Sequence, residues 1–170
     1  MNLLSTGLHN QLTKQIGEYL VACELARRGL IATTFSGNAP HFDLIVTDFK
    51  GSSLPIQVKT STTGTWQFSI DKFVKIDIEG KKQIPGDKVP LQIPQLICVF
   101  VIAGENYGDD KFFVIEWSKF QDLLVADYTD YLKSHDFERP KKPDSMHCAI
   151  YESHLDGYRD NWSIIIHSFS

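Results

Sequence analysis

The sequence predicts an α/β protein built around a β-sheet, and three observations lead there. A stretch with helical apolar spacing comes first, at 13–29. Short alternating segments separated by turn residues follow at 30–60. A strand-like apolar run at 96–103 then precedes a second helical stretch at 118–132. Helix, strands, then further strand and helix is the order of a layered arrangement of sheet and helices.

The first helix rests on Leu12, Ile16, Leu20, Cys23 and Ala26, which recur at three- and four-residue spacing, with Gly29 as its stop. A second apolar patch, Val21, Ala22 and Leu25, lies on another side, as expected for a helix packed between layers. Residues 30–35 read as a strand closed by the turn chemistry of 36–40. Residues 41–47 form a second strand, 48–53 a turn and 54–60 a third strand, together an antiparallel meander. Residues 65–70 are expected to continue the sheet. Residues 71–94, with Pro85, Pro90 and Pro94 among mixed charges, read as a loop. The apolar run 96–103 has the composition of a buried central strand. A turn at 104–110, a strand at 112–115, the helix at 118–132 and a polar connection at 133–145 follow. Residues 148–152 and 162–167 read as two late strands.

The chain has 170 residues, 42% hydrophobic and 22% charged, which predicts one soluble globular domain over 1–170. No apolar stretch reaches the ~20 residues of a membrane span, and no signal-peptide pattern opens the chain; a cytoplasmic protein with no membrane partner is expected. Cys23, Cys98 and Cys148 are widely spaced and form no zinc pattern, so buried, reduced thiols are expected. A net charge of −4 is not that of a whole-surface nucleic-acid binder. A local basic cleft remains compatible with it, because the field at the site is what matters.

Two periodicities bring one group of polar residues together. In 54–60, Ile56 and Val58 face one way and Gln57 and Lys59 the other. In 41–47, Phe42, Leu44 and Val46 share a face and Asp43 takes the opposite one. The two strands are neighbours, so Asp43, Gln57 and Lys59 project on one side. An acid, an amide and an ammonium clustered there are costly to bury without partners. Glu18 lies on the helix beside Val21, Ala22 and Leu25, away from the Leu12/Ile16 stripe. Taken alone, Glu18 could be a surface acid paired with Lys14, four residues back. Gln57 and Lys59 alone could be the solvent face of an edge strand. Together, oxygen donors beside a lysine suit a hard divalent cation that activates water.

The order Gly17-Glu18 on a helix, His41-Phe42-Asp43 on a strand and Gln57-Val58-Lys59 on the next resembles the PD-(D/E)XK nuclease superfamily. The resemblance covers roughly residues 13–62 and continues loosely into the later strand and helix. It implies a restriction-endonuclease-like core, a central mixed sheet flanked by helices, and a metal-dependent endonuclease acting on DNA through a metal-activated water. Branched DNA and RNA stay open as substrates, and a homodimer is compatible. It further implies Mg2+ or Mn2+ as cofactor, with Asp43 the principal ligand, Gln57 the second, the Val58 carbonyl assisting, Glu18 in support and Lys59 the catalytic lysine. His41, Thr60 and Ser61 are weaker candidates for contact with the substrate. Two positions depart from the pattern. Pro40 is three residues before Asp43, and the triplet acid is the neutral Gln57, one negative charge short. A metal-free fold acting as a nucleic-acid or protein binding module is therefore the alternative. Lys72, Lys75, Lys81, Lys82 and Lys88, and the run Arg139-Pro140-Lys141-Lys142, are candidate contacts to a nucleic-acid backbone.

Overall fold

In the computed structural model, which describes residues 6–35, 41–106 and 108–170, helix α1 (Thr6–Arg27) leads into an antiparallel meander. The helix ends in a Schellman arrangement. Leu30 N donates to Leu25 O at 3.1 Å and Gly29 N to Ala26 O at 3.0 Å. Gly29 stands at φ 79°, where a side chain is disfavoured. The meander consists of β1 (Ile31–Thr34), β2 (Leu44–Thr47) and β3 (Ser53–Ser61). The turn expected at 36–40, Pro40 included, lies outside the described residues.

Next come β4 (Thr65–Ser69), β5 (Val74–Glu79) and β6 (Lys82–Lys88), then β7 (Ile97–Ile102) and β8 (Lys111–Glu116). The main sheet has the order β1-β2-β3-β7-β8. It is mixed: β3 and β7 are parallel, with Gln57 beside Cys98 and Lys59 beside Phe100, and the other neighbours are antiparallel. This is the α/β architecture with a central mixed sheet that the sequence implied, and the run expected at 96–103 to be a buried central strand is β7, buried in the sheet interior between β3 and β8. Helix α2 (Trp117–Lys133), β9 (His147–Tyr151), a 3-10 segment (Glu152–Tyr158) and α3 (Ser163–His167) complete the chain.

The chain divides into two compact units, Met1–Trp66 with Gln95–Trp117 and Tyr151–Ser170, and Gln67–Pro94 with Ser118–Ile150. In the first, Val21 and Leu25 of α1, Ile165 of α3 and Trp162 just ahead of it pack in one apolar cluster with one face of the sheet. That face presents Leu44, Val46, Leu54, Ile56, Val58, Ile97, Val99, Val101, Phe112 and Val114. Each fully buried aliphatic side chain there contributes about 1.5–3 kcal/mol. The helix therefore docks chiefly through Val21 and Leu25, with Leu20 and Ala22 partly buried against the same cluster. Leu12 (38%), Ile16 (48%) and Cys23 are exposed, a correction to the expectation of a helix buried on two sides. A 3.6-residue period allows either stripe, and Gly17 decides between them, as described below. On the sheet's other face, Trp66 meets Phe100 and Phe113 edge-on at 5.1 and 6.3 Å.

Residues 162–167 are helical, not a strand. Trp162 and Ile165 are buried while Ile166 is exposed, a spacing of three that alternation would not produce. The β-branched run Ile164–Ile166 looked like a strand because composition outweighed periodicity.

The second unit holds two further corrections. Residues 71–94 contain a hairpin, β5 paired antiparallel with β6, and Glu79 opposite Lys82 leaves a two-residue loop with Gly80 at φ 65°. A register shift between Val74 and Ile76 accommodates Pro85. Strand β4 does not continue the main sheet but pairs with β9. Helix α2 buries Phe120, Leu124, Tyr128 and Leu132 at four-residue spacing, and Phe68, Phe73 and Phe120 form an aromatic cluster with centroids 5.1 to 5.7 Å apart. Gln83 is fully buried and fully engaged. Its N donates to Phe137 O (2.8 Å), its Nε2 donates to Pro143 O and Ser145 O, and its Oε1 accepts from Tyr128 Oη (2.5 Å). Such full pairing is what makes a buried amide tolerable.

Candidate functional site

The register Leu44 to Ile56 puts Asp43, just ahead of β2, opposite Gln57. Asp43 N donates to Ile56 O at 2.8 Å, which extends the ladder by one rung. Its carboxylate is buried and turned onto β3: Oδ2 accepts from Val58 N at 2.8 Å and from Gln57 Nε2. In a pleated strand the N–H and C=O of one residue point the same way, so the Val58 carbonyl lies on this same edge, where β2 has run out.

Helix α1 delivers the rest. Gly17 faces β3 so closely that a Cβ there would stand 1.9 Å from Thr60 Oγ1 and 2.9 Å from Thr60 Cβ and Cγ2. Only glycine permits this approach, and it brings the turn carrying Lys14 and Glu18 to Asp43. Lys14 Nζ lies 3.1 Å from Asp43 Oδ1 and 3.6 Å from Glu18 Oε1. The pairing of Glu18 with Lys14 that the sequence allowed is thus present, but it is one half of a bridge to Asp43.

The electrostatics follow from two carboxylates sharing one ammonium. Burial, then repulsion from Asp43, raise the Glu18 pKa above the ordinary carboxylate value, and Lys14 only partly offsets them. For Lys14, burial pulls the pKa down, but bonding to Asp43 and attraction to Asp43 and Glu18 outweigh it, and the net shift is upward. The group is one positive charge short of neutrality. Asp43 Oδ1 and Glu18 Oε1 converge on the Lys14 ammonium, and carboxylate oxygens of this kind are the donors a hard divalent cation takes. The residues therefore fit a divalent cation such as Mg2+ or Mn2+. Among the described residues no three His, Cys, Asp or Glu side chains gather to hold a metal, so here the donor set has only two carboxylates.

Lys59 is on the same face of β3 as Gln57, two residues along, roughly 6.6 Å at strand rise. Its backbone O accepts from Trp66 Nε1 at 2.9 Å, and its ammonium has no carboxylate partner among the described residues. The ammonium's field reaches the neighbouring strand. Burial drives the Cys98 thiol far up, and Lys59 opposes that shift.

The weaker candidates fare unevenly. Thr60 shares the parity of Ile56 and Val58, so it faces α1, and its buried Oγ1 has no hydrogen-bond partner. The structure does not bring it to the Asp43 face. Ser61 is on the Lys59 side, but its Oγ accepts from Thr63 N (3.1 Å) and Thr65 N (3.3 Å) and so holds the turn after β3. His41 is exposed at φ 77°, two residues before Asp43. Arg139 donates to Tyr128 Oη, Ser145 O and His147 O, which makes it a brace of the second unit. Lys88 and Lys81 pair with Asp122 and Glu138. The residue that sequence reasoning missed is Lys14 as a ligand of Asp43. Its i, i+4 relation to Glu18 was visible, but the tertiary contact had no local signal.

No protein-family model and no curated protein matches the chain. Solved structures similar to it include a bacterial homing endonuclease, 15% identical, with 93% of each chain covered and a TM-score of 0.49. Another is the Holliday junction resolvase Hjc of the archaeal hyperthermophile Archaeoglobus fulgidus, 14% identical, with 84% of this chain and 86% of that chain covered and a TM-score of 0.40.

Proposed function

We propose that this chain is a metal-dependent endonuclease that hydrolyses phosphodiester bonds of DNA, with Mg2+ or Mn2+ held by Asp43, Glu18, Gln57 and the Val58 carbonyl. The observation that carries this reading is the convergence of Asp43 Oδ1 and Glu18 Oε1 on one cation. A divalent ion there would lower the pKa of its water and offset charge gathering on phosphorus. The chain's own residues supply the rest. Asp43 is held in orientation by Val58 N and Gln57. Gln57 would offer Oε1 to the ion only with its amide turned over, in which case Val58 N alone holds Asp43 Oδ2. Lys59, on the same face and not engaged by an acid, donates to the attacking water or to the oxyanion as charge develops.

The test is cleavage of supercoiled plasmid with Mg2+ or Mn2+. Lys59→Ala and Asp43→Asn should each lose at least about 100-fold in rate, the usual cost of one such group. Asn is chosen because it retains an acceptor for Val58 N. Branched DNA and RNA assayed in parallel identify the substrate. Equal trace cleavage by wild type and Lys59→Ala would remove the enzymatic reading.

One observation favours a second reading, a metal-free binding module: protein donors already meet both oxygens of Asp43. Salt-dependent DNA binding without calorimetric Mn2+ binding would establish it.

A further inference from the structure

We infer that Lys14 is a tethered counter-cation occupying the metal position, so that a divalent ion enters only by displacing it and Lys14 sets the cation affinity of the site; this rests on the metal reading above. Asp43 Oδ2 is taken by Val58 N and Gln57, which leaves Oδ1 to face a cation, and Lys14 Nζ stands on it at 3.1 Å. The same ammonium is 3.6 Å from Glu18 Oε1. An ion bridging the two carboxylates needs these two oxygens, so ion and ammonium compete for one place, and their like charges reinforce the exclusion.

The side chains suit such an exchange. The acids are sheltered, 6% exposed for Asp43 and 14% for Glu18, while the Lys14 side chain is 50% exposed. Its flexible stem can swing into solvent while Asp43 stays bonded to Val58 N and Gln57. Arg28, just past the end of the same helix, shows the opposite design. It donates to Glu24 Oε2 at 2.6 Å and Glu24 O at 2.7 Å and lies 4.6 Å from the Trp162 ring centroid, a cation built to stay. Lys14 in place spares the metal-free protein an uncompensated buried carboxylate at Asp43, a strongly unfavourable state.

The experiment compares the full chain with Lys14→Met, which keeps the stem and removes the charge, by calorimetric titration with Mn2+ and by melting in chelator. Lys14→Met should bind Mn2+ roughly tenfold more tightly, two ion pairs within the range of exposed pairs being released. It should also melt lower than wild type without metal, with the gap closing at saturating Mn2+. Equal or weaker binding by Lys14→Met, with wild type binding, overturns the role of Lys14 and leaves the metal reading standing. Absence of Mn2+ binding in both overturns the metal reading and this inference with it. Lys14→Arg serves if Lys14→Met does not fold. Its planar fork can engage both carboxylates, so Mn2+ affinity should fall several-fold, and an unchanged or higher affinity counts against the inference.

Discussion

Replacing Gly17 by alanine sets two well-understood effects against each other. In a helix interior alanine is favoured over glycine by about 1 kcal/mol, so on propensity alone the variant should be more stable. Packing acts in the other direction. The new Cβ would stand 1.9 Å from Thr60 Oγ1 and 2.9 Å from Thr60 Cβ and Cγ2. Rotating Thr60 can move Oγ1 and Cγ2, but Cβ belongs to the strand and stays, so α1 must lift off β3. Overpacking of this kind costs about 1–3 kcal/mol, and a contact this short belongs at the upper end of that range. The net expectation is a loss of about 1–2 kcal/mol, or a melting temperature lower by roughly 2–8 °C for a chain of this size. Urea unfolding followed by the fluorescence of the three tryptophans measures it. Gly7→Ala on the same helix, where an added Cβ meets nothing within 4 Å, isolates propensity and should be neutral or stabilising. A Gly17→Ala protein as stable as wild type, or more so, would refute the close approach of helix and strand on which the candidate site depends.

Three other outcomes follow from described contacts. Thr60→Val replaces a buried hydroxyl that has no partner, so stability should rise by about 1 kcal/mol; a fall in the urea midpoint would contradict this. Tyr128→Phe strips the donor from the buried Gln83 Oε1 and an acceptor from Arg139, which should cost about 1–3 kcal/mol in the same assay; an unchanged midpoint would show that Gln83 finds another donor. Ellman's reagent at pH 8 should react rapidly with one thiol per chain, the exposed Cys23. Burial pushes Cys148 up to about 12 and Cys98 higher still, so both should react only on unfolding. Three equal rates would exclude that burial pattern.

How much of this was legible in the sequence depends on whether the signal was local. The meander, the central strand and the parity of Asp43, Gln57 and Lys59 follow from alternation and turn chemistry, and the structure has them. The same parity rule puts Thr60 with Ile56 and Val58, against the helix, although its place after Lys59 suggested the site. The buried side of α1 was ambiguous because two apolar stripes fit one helical period, and the close contact that selects Val21 and Leu25 is tertiary. The β5–β6 hairpin was hidden by charge and proline, although Val74, Ile76 and Ile78 alternate up to Gly80. The bridge from Lys14 to Asp43 spans 29 positions and leaves no periodic trace. Interactions within one element or across one turn could be read, whereas those set by packing could not.

The parallel pairing of β3 with β7 also constrains how the chain can assemble. A growing chain completes β3 at Ser61, yet its partner begins at Ile97, and the first segment of the second unit is made in between. Throughout that interval one edge of β3, with Ile56, Val58 and the future site residues Gln57 and Lys59, is an open strand able to recruit other chains. Closure must wait for a non-local contact, the slow kind in folding. Neither unit is a continuous piece of sequence, so no simple truncation isolates the site from the rest of the chain.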